Sequence, residues 1–386
     1  FSCYLVAMVT FGCFVTGARG ENNAKEPTVT KAEAKWIGKA ASLFEDNPLA
    51  AIEQLRKRAG LKASAAIDFS LATMLAQEHR YSAAEKALEP ALEKCPNFFR
   101  AWLLMGRLKV LQKNFSGALL PLRKALDNGA DRLIVFKLLA HCHLAKGQSA
   151  AAESAYGQVL ALDPEDKEST AGLAQSLIRQ QRIDDATELL RKLCDTAPGE
   201  GKYWLLRANA ELSRENPRGA IAMLECARRL SCLDEESLLT LGDLYFNEGL
   251  FEKSLSCYEK AKSKSPYSME RKYRQAEALL QVQRPKLAAK LLKSLHSTDK
   301  KSKEKRLLLE AKLAVAQKDD SLAMKHLHGV LVANPTNGQA LLTLGRLHMK
   351  KGSLERALIT FERAEQLEKH SRQALLAKAQ LYVERN

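Results

Sequence analysis

Residues 133–166 read LIVFKLLAHCHLAKGQSAAAESAYGQVLALDPED. Phe136 and Ala140 lie one helical turn apart on one stripe, Gly147 breaks the run, Ala152 and Tyr156 open a second stripe, and Pro164 closes it. That is the pattern of two helices of about a dozen residues joined by a short turn. The same pattern recurs along the chain in frames of 34, beginning at residues 31, 65, 99, 133, 167, 201, 235 and 269, then at 304 after one inserted residue, then at 338 and 372.

The eighth place of the frame is always tiny, as in Gly38, Gly106, Ala140, Ala208, Gly242, Ala311 and Gly345. The twentieth place is Ala at every frame but one, from Ala50 and Ala84 to Ala323 and Ala357, with Ser254 the exception. Two helices approach closely only where each carries a small side chain, so the eighth place of the first helix (helix A) is expected to face the twentieth place of the second (helix B). Larger side chains surround them. Leu88, Leu122, Tyr156, Leu190, Tyr258 and Phe361 hold the twenty-fourth place, and Trp102, Phe136 and Trp204 the fourth. Pro96, Pro164, Pro198, Pro266 and Pro335 stand where helix B should end, because proline disfavours helix in the residue before it. Gly147, Gly249 and Gly352 fall in the turn between A and B.

Composition agrees. The chain has 386 residues, of which 46% are hydrophobic, and only 20 are Gly and 11 Pro. Enough apolar surface is present to exclude intrinsic disorder. No long alternation of Val, Ile and Thr argues for a sheet, and 386 residues exceed what one compact core holds, roughly 250 to 300. With 60 Lys and Arg against 45 Asp and Glu, the net charge is +15. The densest basic run, Lys300, Lys301, Lys303, Lys305 and Arg306, coincides with the inserted residue and is expected to be a solvated loop. Basic residues otherwise alternate with acids and lack aromatic interleaving, so nucleic acid is not an expected partner. Non-specific attraction to an acidic envelope surface or anionic lipids, and so membrane or envelope association, is the reading kept for the charge.

These places and residues resemble the tetratricopeptide repeat family, over residues 31–386. The resemblance implies an all-α fold, a right-handed superhelical solenoid, with a degenerate capping repeat at 31–64, nine repeats over 65–371, and the first helix of a further repeat or a capping helix at 372–386. Gln54 and Lys57 replace apolar residues in the first frame, as a cap with solvent on one side allows. Leu375, Leu376, Leu381 and Val383 are not a polar outer face, so more chain is expected beyond Asn386.

Phe1–Ala18 carries no charge and is mostly apolar, the outline of a secretory signal over residues 1–20, with cleavage after Gly20 or Ala18 and a linker over 21–30. An uncleaved anchor is the alternative. The missing Met and basic flank imply a start upstream of Phe1. Export to a bacterial periplasm or envelope is therefore the expected location. The six cysteines after the signal, Cys95, Cys142, Cys194, Cys226, Cys232 and Cys257, have no metal-binding spacing and are read as buried thiols, with a Cys194–Cys226 disulfide as the alternative. No GxGxxG, GxxxxGK[ST], HExxH or GxSxG occurs, and His141/His143 and His326/His328, two apart on a helix, point to different sides. Asp184 and Asp185 read as helix N-terminal acids. No enzyme, cofactor or metal is expected within these residues.

The family resemblance implies that helix A lines a concave groove and that the second, fifth, ninth and twelfth places face a ligand. Partner-binding residues are then Phe69, Leu103, Lys137 and Tyr273 at the fifth place and Arg107, His141, Asp243, Glu277, Lys312 and Arg346 at the ninth. Arg100, Arg107, Lys137 and His141 form a basic zone that suits an acidic segment; Glu236, Asp243, Glu270 and Glu277 form an acidic one, and Lys305, Lys312 and Arg346 are basic again. The competing reading is that fifth-place side chains pack on the next helix A and that ninth-place charges are solvated. The carboxylate clamp of chaperone-binding members is absent, since His141 follows Lys137 where that clamp has Asn, and the Asn ladder of sugar-transferase members is absent as well. The expected function is a scaffold holding an extended peptide or partner protein in an envelope, secretion or polysaccharide-export assembly. The alternative is the regulatory repeat region of a larger enzyme.

Overall fold

The computed structural model describes residues 26–60, 62–261, 268–295 and 299–385, so the expected signal over 1–20 and Pro266 lie outside the described residues. Among the described residues there are 21 α-helices and no strand. They fall into two compact units, residues 1–216 and 217–386. The first holds α1 (Lys31–Asp46) with α2 (Pro48–Arg56), α3 (Ala65–Gln77) with α4 (Tyr81–Lys94), and α5 (Phe99–Leu111) with α6 (Phe115–Asp127). It continues through α7 (Arg132–Ala145) with α8 (Ser149–Leu162), α9 (Lys167–Arg179) with α10 (Ile183–Thr196), and α11 (Gly201–Ser213). The second holds α12 (Pro217–Arg229), α13 (Glu235–Asn247) with α14 (Phe251–Lys260), and α15 (Met269–Gln281) with α16 (Pro285–Lys293). It ends with α17 (Lys300–Ala316) and α18 (Asp320–Ala333), α19 (Gly338–Lys350) and α20 (Leu354–Glu365), and α21 (Glu368–Arg385). Helices α4, α8, α10 and α18 stop just before Pro96, Pro164, Pro198 and Pro335, as expected.

Close packing explains the small places, with one addition. At the eighth-place glycines Gly106, Gly242 and Gly345 the nearest atoms belong to the twenty-fourth place of the same repeat's helix B. A Cβ added at Gly106 would stand 2.6 Å from Leu122 Cδ2, one at Gly242 2.7 Å from Tyr258 Cε1, and one at Gly345 2.4 Å from Phe361 Cε1. The twentieth-place alanines, such as Ala118, Ala152 and Ala357, are fully buried beneath these knobs. A second device links neighbouring repeats: the indole nitrogens of Trp102 and Trp204, both fourth-place, donate to the Pro96 and Pro198 carbonyls at 2.7 and 2.9 Å.

The turn between A and B has one backbone solution. Every fifteenth-place residue from the second frame to the tenth has positive φ, 75°, 74° and 73° at Gly147, Gly249 and Gly352 and 56° to 63° at His79, Lys113, Gln181, Glu215, Gln283 and Lys318. This left-handed residue ends helix A and lets its last carbonyls accept bonds from the turn.

The first frame departs from the others. Gly38 is exposed, with nothing near an added Cβ, and Ala50 is exposed too; Ala51 and Leu55, one residue later, are buried instead. The cause is the longer α1, 16 residues, and a single-residue turn at Asn47. Thr30 and Glu33 form a capping box at the start of α1, and Glu33 also accepts from the Ser64 amide at 2.9 Å, binding α1 to the start of α3. Buried Asp68 accepts from the Gly60 amide and from Lys94, fixing the loop between α2 and α3.

Two further expectations change, and for the cysteines the reading as free thiols holds while the disulfide alternative falls. The lysine-rich run 300–306 is the first two turns of α17, not a loop. The last helix starts at Glu368, where the His370 ring covers Gly338, and it buries Leu381 while Leu375 and Leu376 remain 49% and 60% exposed. Cys194 and Cys226, like the other four described cysteines, are free thiols. Of these, Cys142, Cys194 and Cys257 are buried and Cys232 is exposed; burial pushes the Cys142 thiol up to about 11. Asp184 and Asp185 lie in the first turn of α10, as expected.

Candidate functional site

Within each unit paired A and B helices pack on one another, each B helix also packs on the A helix that follows it, and most successive A helices meet as well. The A helices therefore form the inner row, and the residues facing away from helix B line it. Their chemistry differs between the units.

In the second unit the row is neutralised from within. Glu236 bonds to Arg271 at 2.9 Å, Glu270 to Lys305 at 2.5 Å and Glu277 to Lys312 at 2.6 Å, each pair 35 residues apart. Asp243 accepts from the Tyr258 hydroxyl at 2.7 Å, from Arg271 at 3.0 Å and from Arg274 at 3.2 Å. Acid on one A helix and base on the next thus replace the separate zones expected from sequence. Lys305 holds the Glu270 carboxyl below its usual range. Tyr273 is only 1% exposed, enclosed with Leu292, Leu295 and Leu309, and does not line the row. Arg346 is exposed.

The first unit keeps a different row. Phe69 lies at 4.9 Å from the Phe98 ring and is half-buried; Leu103 is half-buried against the α6–α7 core. At the ninth place Thr73, Arg107, His141, Gln175 and Asn209 succeed one another on α3, α5, α7, α9 and α11, the first four half-buried and Asn209 exposed. Burial pushes the His141 imidazole below its usual range, so at neutral pH it is uncharged, with one donor and one acceptor nitrogen. Its ring stands edge-on to Phe115 at 5.7 Å. Burial also lowers Arg107, which stays cationic.

Arg100 pairs with Glu26 at 3.0 Å, and Lys137 with Asp166. Asp166 also caps α9 through the Glu168 and Ser169 amides; burial raises its carboxyl, but Lys137 and those bonds outweigh it and hold it low. Sequence reasoning named Lys137 from its place and missed Asp166, 29 positions later, because no local signal couples a fifth place to the next repeat's cap.

Four separate family models described as tetratricopeptide repeat match residues 65–108, 143–210, 235–266 and 308–372. The chain is a tetratricopeptide repeat protein. None of the matched models is a catalytic domain, and no curated protein matches the chain. Among solved structures it is similar to a tetratricopeptide repeat protein from Parabacteroides merdae, 16% identical over 74% of this chain and 98% of that one, TM-score 0.47. PilW, a type IV pilus biogenesis factor, is 17% identical over 56% and 98%, TM-score 0.46. YrrB, a repeat protein with an unusual peptide-binding site, is 19% identical over 50% and 91%, TM-score 0.40. These are likenesses of fold. Repeat proteins of this family bind proteins and peptides.

Proposed function

We propose that the chain is a scaffold whose first unit holds an extended, acidic peptide segment along α3–α11. The observation that carries this is the ninth-place row Arg107, His141, Gln175 and Asn209. Neighbouring packed helices stand about 10 Å apart, and an extended peptide rises about 3.3 Å per residue. A peptide crossing the row therefore meets one polar side chain at every third residue, with Phe69 and Leu103 as apolar anchors. Arg107 supplies the charge for an acidic side chain. The second unit, its acids and bases already bonded to one another, is less suited to a charged segment.

The place of such a scaffold is proposed as the bacterial envelope, in a secretion, pilus or polysaccharide-export assembly. The uncharged apolar run Phe1–Ala18 supports this.

The test is a panel of extended peptides with acidic, neutral or basic residues at every third position, titrated against the wild type, Arg107→Glu and Arg346→Glu. Acidic peptides should bind the wild type and weaken about tenfold or more on reversal of Arg107, as loss of a charge-assisted hydrogen bond predicts. Arg346→Glu should bind normally. Lys137 is a poor probe, because its replacement also disturbs the cap of α9. Equal binding by all three proteins, with melting temperatures unchanged, rejects the reading.

A further inference from the structure

Among the described residues several bases bond to acids of the same or the next repeat. Arg191 bonds to Glu188 and Asp195, Arg228 to Glu225, and Lys305 and Lys312 to the acids of α15. One helix of the second unit has bases and no acid of its own. Helix α16, PKLAAKLLK, contains no acid. Its lysines Lys286, Lys290 and Lys293 are exposed and fall within about 60° of one another on a helix of 3.6 residues per turn, opposite buried Ala288 and Leu292. Leu287, 52% exposed, flanks them. The first turn of α17 adds exposed Lys300, Lys301 and Lys303.

Among the described residues none of these six is ion-paired, although the carboxylates of Glu304 and Asp299 stand among the lysines of α17. Glu270 and Glu277 of α15 are bonded to Lys305 and Lys312, and Glu310 of α17 to Arg306. Glu304 accepts from Asn334 and Asn337, and Asp299 caps α17 through the Ser302 amide. Lys286, Lys300, Lys301 and Lys303 stand in first turns, where their charge opposes the helix dipole, whereas Lys290 and Lys293 stand in the last turn of α16, where it is favourable.

We infer that the lysine arc of α16 and the first turn of α17 dock on an anionic lipid bilayer. An anionic surface complements the three ammonium groups that share one face of α16, the first turn of α17 adds further positive charge, and the exposed Leu287 of α16 can enter the headgroup boundary. Single-stranded nucleic acid would call for aromatic stacking platforms, and residues 284–306 contain no Phe, Tyr or Trp. The surface shares no residue with the inner row of the first unit, so the two proposals stand or fall separately.

The experiment is co-sedimentation of the full chain with phosphatidylcholine vesicles with and without phosphatidylglycerol. The wild type should bind only the mixed vesicles, and bind less as salt rises, since exposed charges are screened beyond about 8 Å at physiological ionic strength. Each lysine at an anionic surface is worth roughly a fivefold change in partition, so Lys286→Glu/Lys290→Glu/Lys293→Glu should weaken it by about 100-fold or more. Replacing the same three by Arg should preserve it, and so should Arg107→Glu. Unchanged helical content by circular dichroism keeps a folding defect apart. Equal binding to neutral and anionic vesicles overturns the inference, as does a triple reversal that binds like the wild type. Retention on a polynucleotide with none on anionic vesicles would assign the surface to a different partner and overturn it equally.

Discussion

A single glycine decides how close two helices of a repeat can stand. At Gly345 an added Cβ would fall 2.4 Å from the rigid Phe361 ring, and Phe361 is fully buried. At Gly106 the clash is with Leu122 Cδ2 at 2.6 Å and Cγ at 2.7 Å, in a side chain that is also fully buried. Gly38 shares the eighth place but meets nothing within 4 Å. Gly345→Ala and Gly106→Ala should therefore each cost about 1 to 3 kcal/mol through overpacking. Gly38→Ala should gain up to about 1 kcal/mol, because Ala is the better helix former on an exposed face. Urea melts of the three variants are the check. A loss at Gly38 as large as that at Gly345 would contradict the described slip of the first frame.

At the scale of the element, the caps and turns carry the measurable terms. Glu33 joins α1 to α3 by accepting from Thr30 and Ser64, and these bonds, the Thr30 amide first, draw its carboxyl down to about 2. Its folded pKa lies below the unfolded value of about 4.3, so it stabilises the fold at neutral pH, and that contribution fades as pH falls from about 4.3 towards 2. Glu33→Gln should lower the melting temperature at pH 7, with the difference from wild type shrinking towards pH 2. A difference independent of pH would mean the carboxylate charge is not what matters. The fifteenth-place turn gives a second test. Gly249→Ala should cost about 1 to 2 kcal/mol at a φ of 74°. Gln181→Gly should gain a few tenths, because relief of the left-handed strain is partly offset by the entropy of glycine in the unfolded chain. The helix pairs were legible because small side chains at a fixed place leave a trace in sequence. The positive φ was legible only at the three glycines, since Gln181 or Lys318 shows no sign of it. The ion pairs 34 and 35 residues apart were not legible, because each depends on which rotamers two adjacent repeats bring together. For the same reason the sequence suggested charged zones where Glu236, Glu270 and Glu277 are in fact bonded to bases. Tyr273 was misplaced because the fifth place can turn either towards the next helix or towards the row.

Within each unit packing is local: each described helix touches its neighbours in the chain and little else, so the stability of each unit is close to a sum over repeats and their interfaces. Residues 26–216 contain α1–α11 with the capping box, the Asp68–Lys94 clamp and five successive helix pairs, and so hold the packing their own fold requires. Expressed alone, they should show the helical spectrum and a cooperative melt, which circular dichroism would establish first. The two proposed surfaces then separate. The piece carries the ninth-place row from Thr73 to Asn209 but lacks α16 and α17, so it should bind acidic extended peptides as the full chain does and should not sediment with anionic vesicles. A folded piece that sediments with those vesicles would move the membrane contact into the first unit. A folded piece that binds no peptide the full chain binds would show that the row needs residues beyond Asn216, and the search would pass to Arg346 and the other exposed side chains of the second unit.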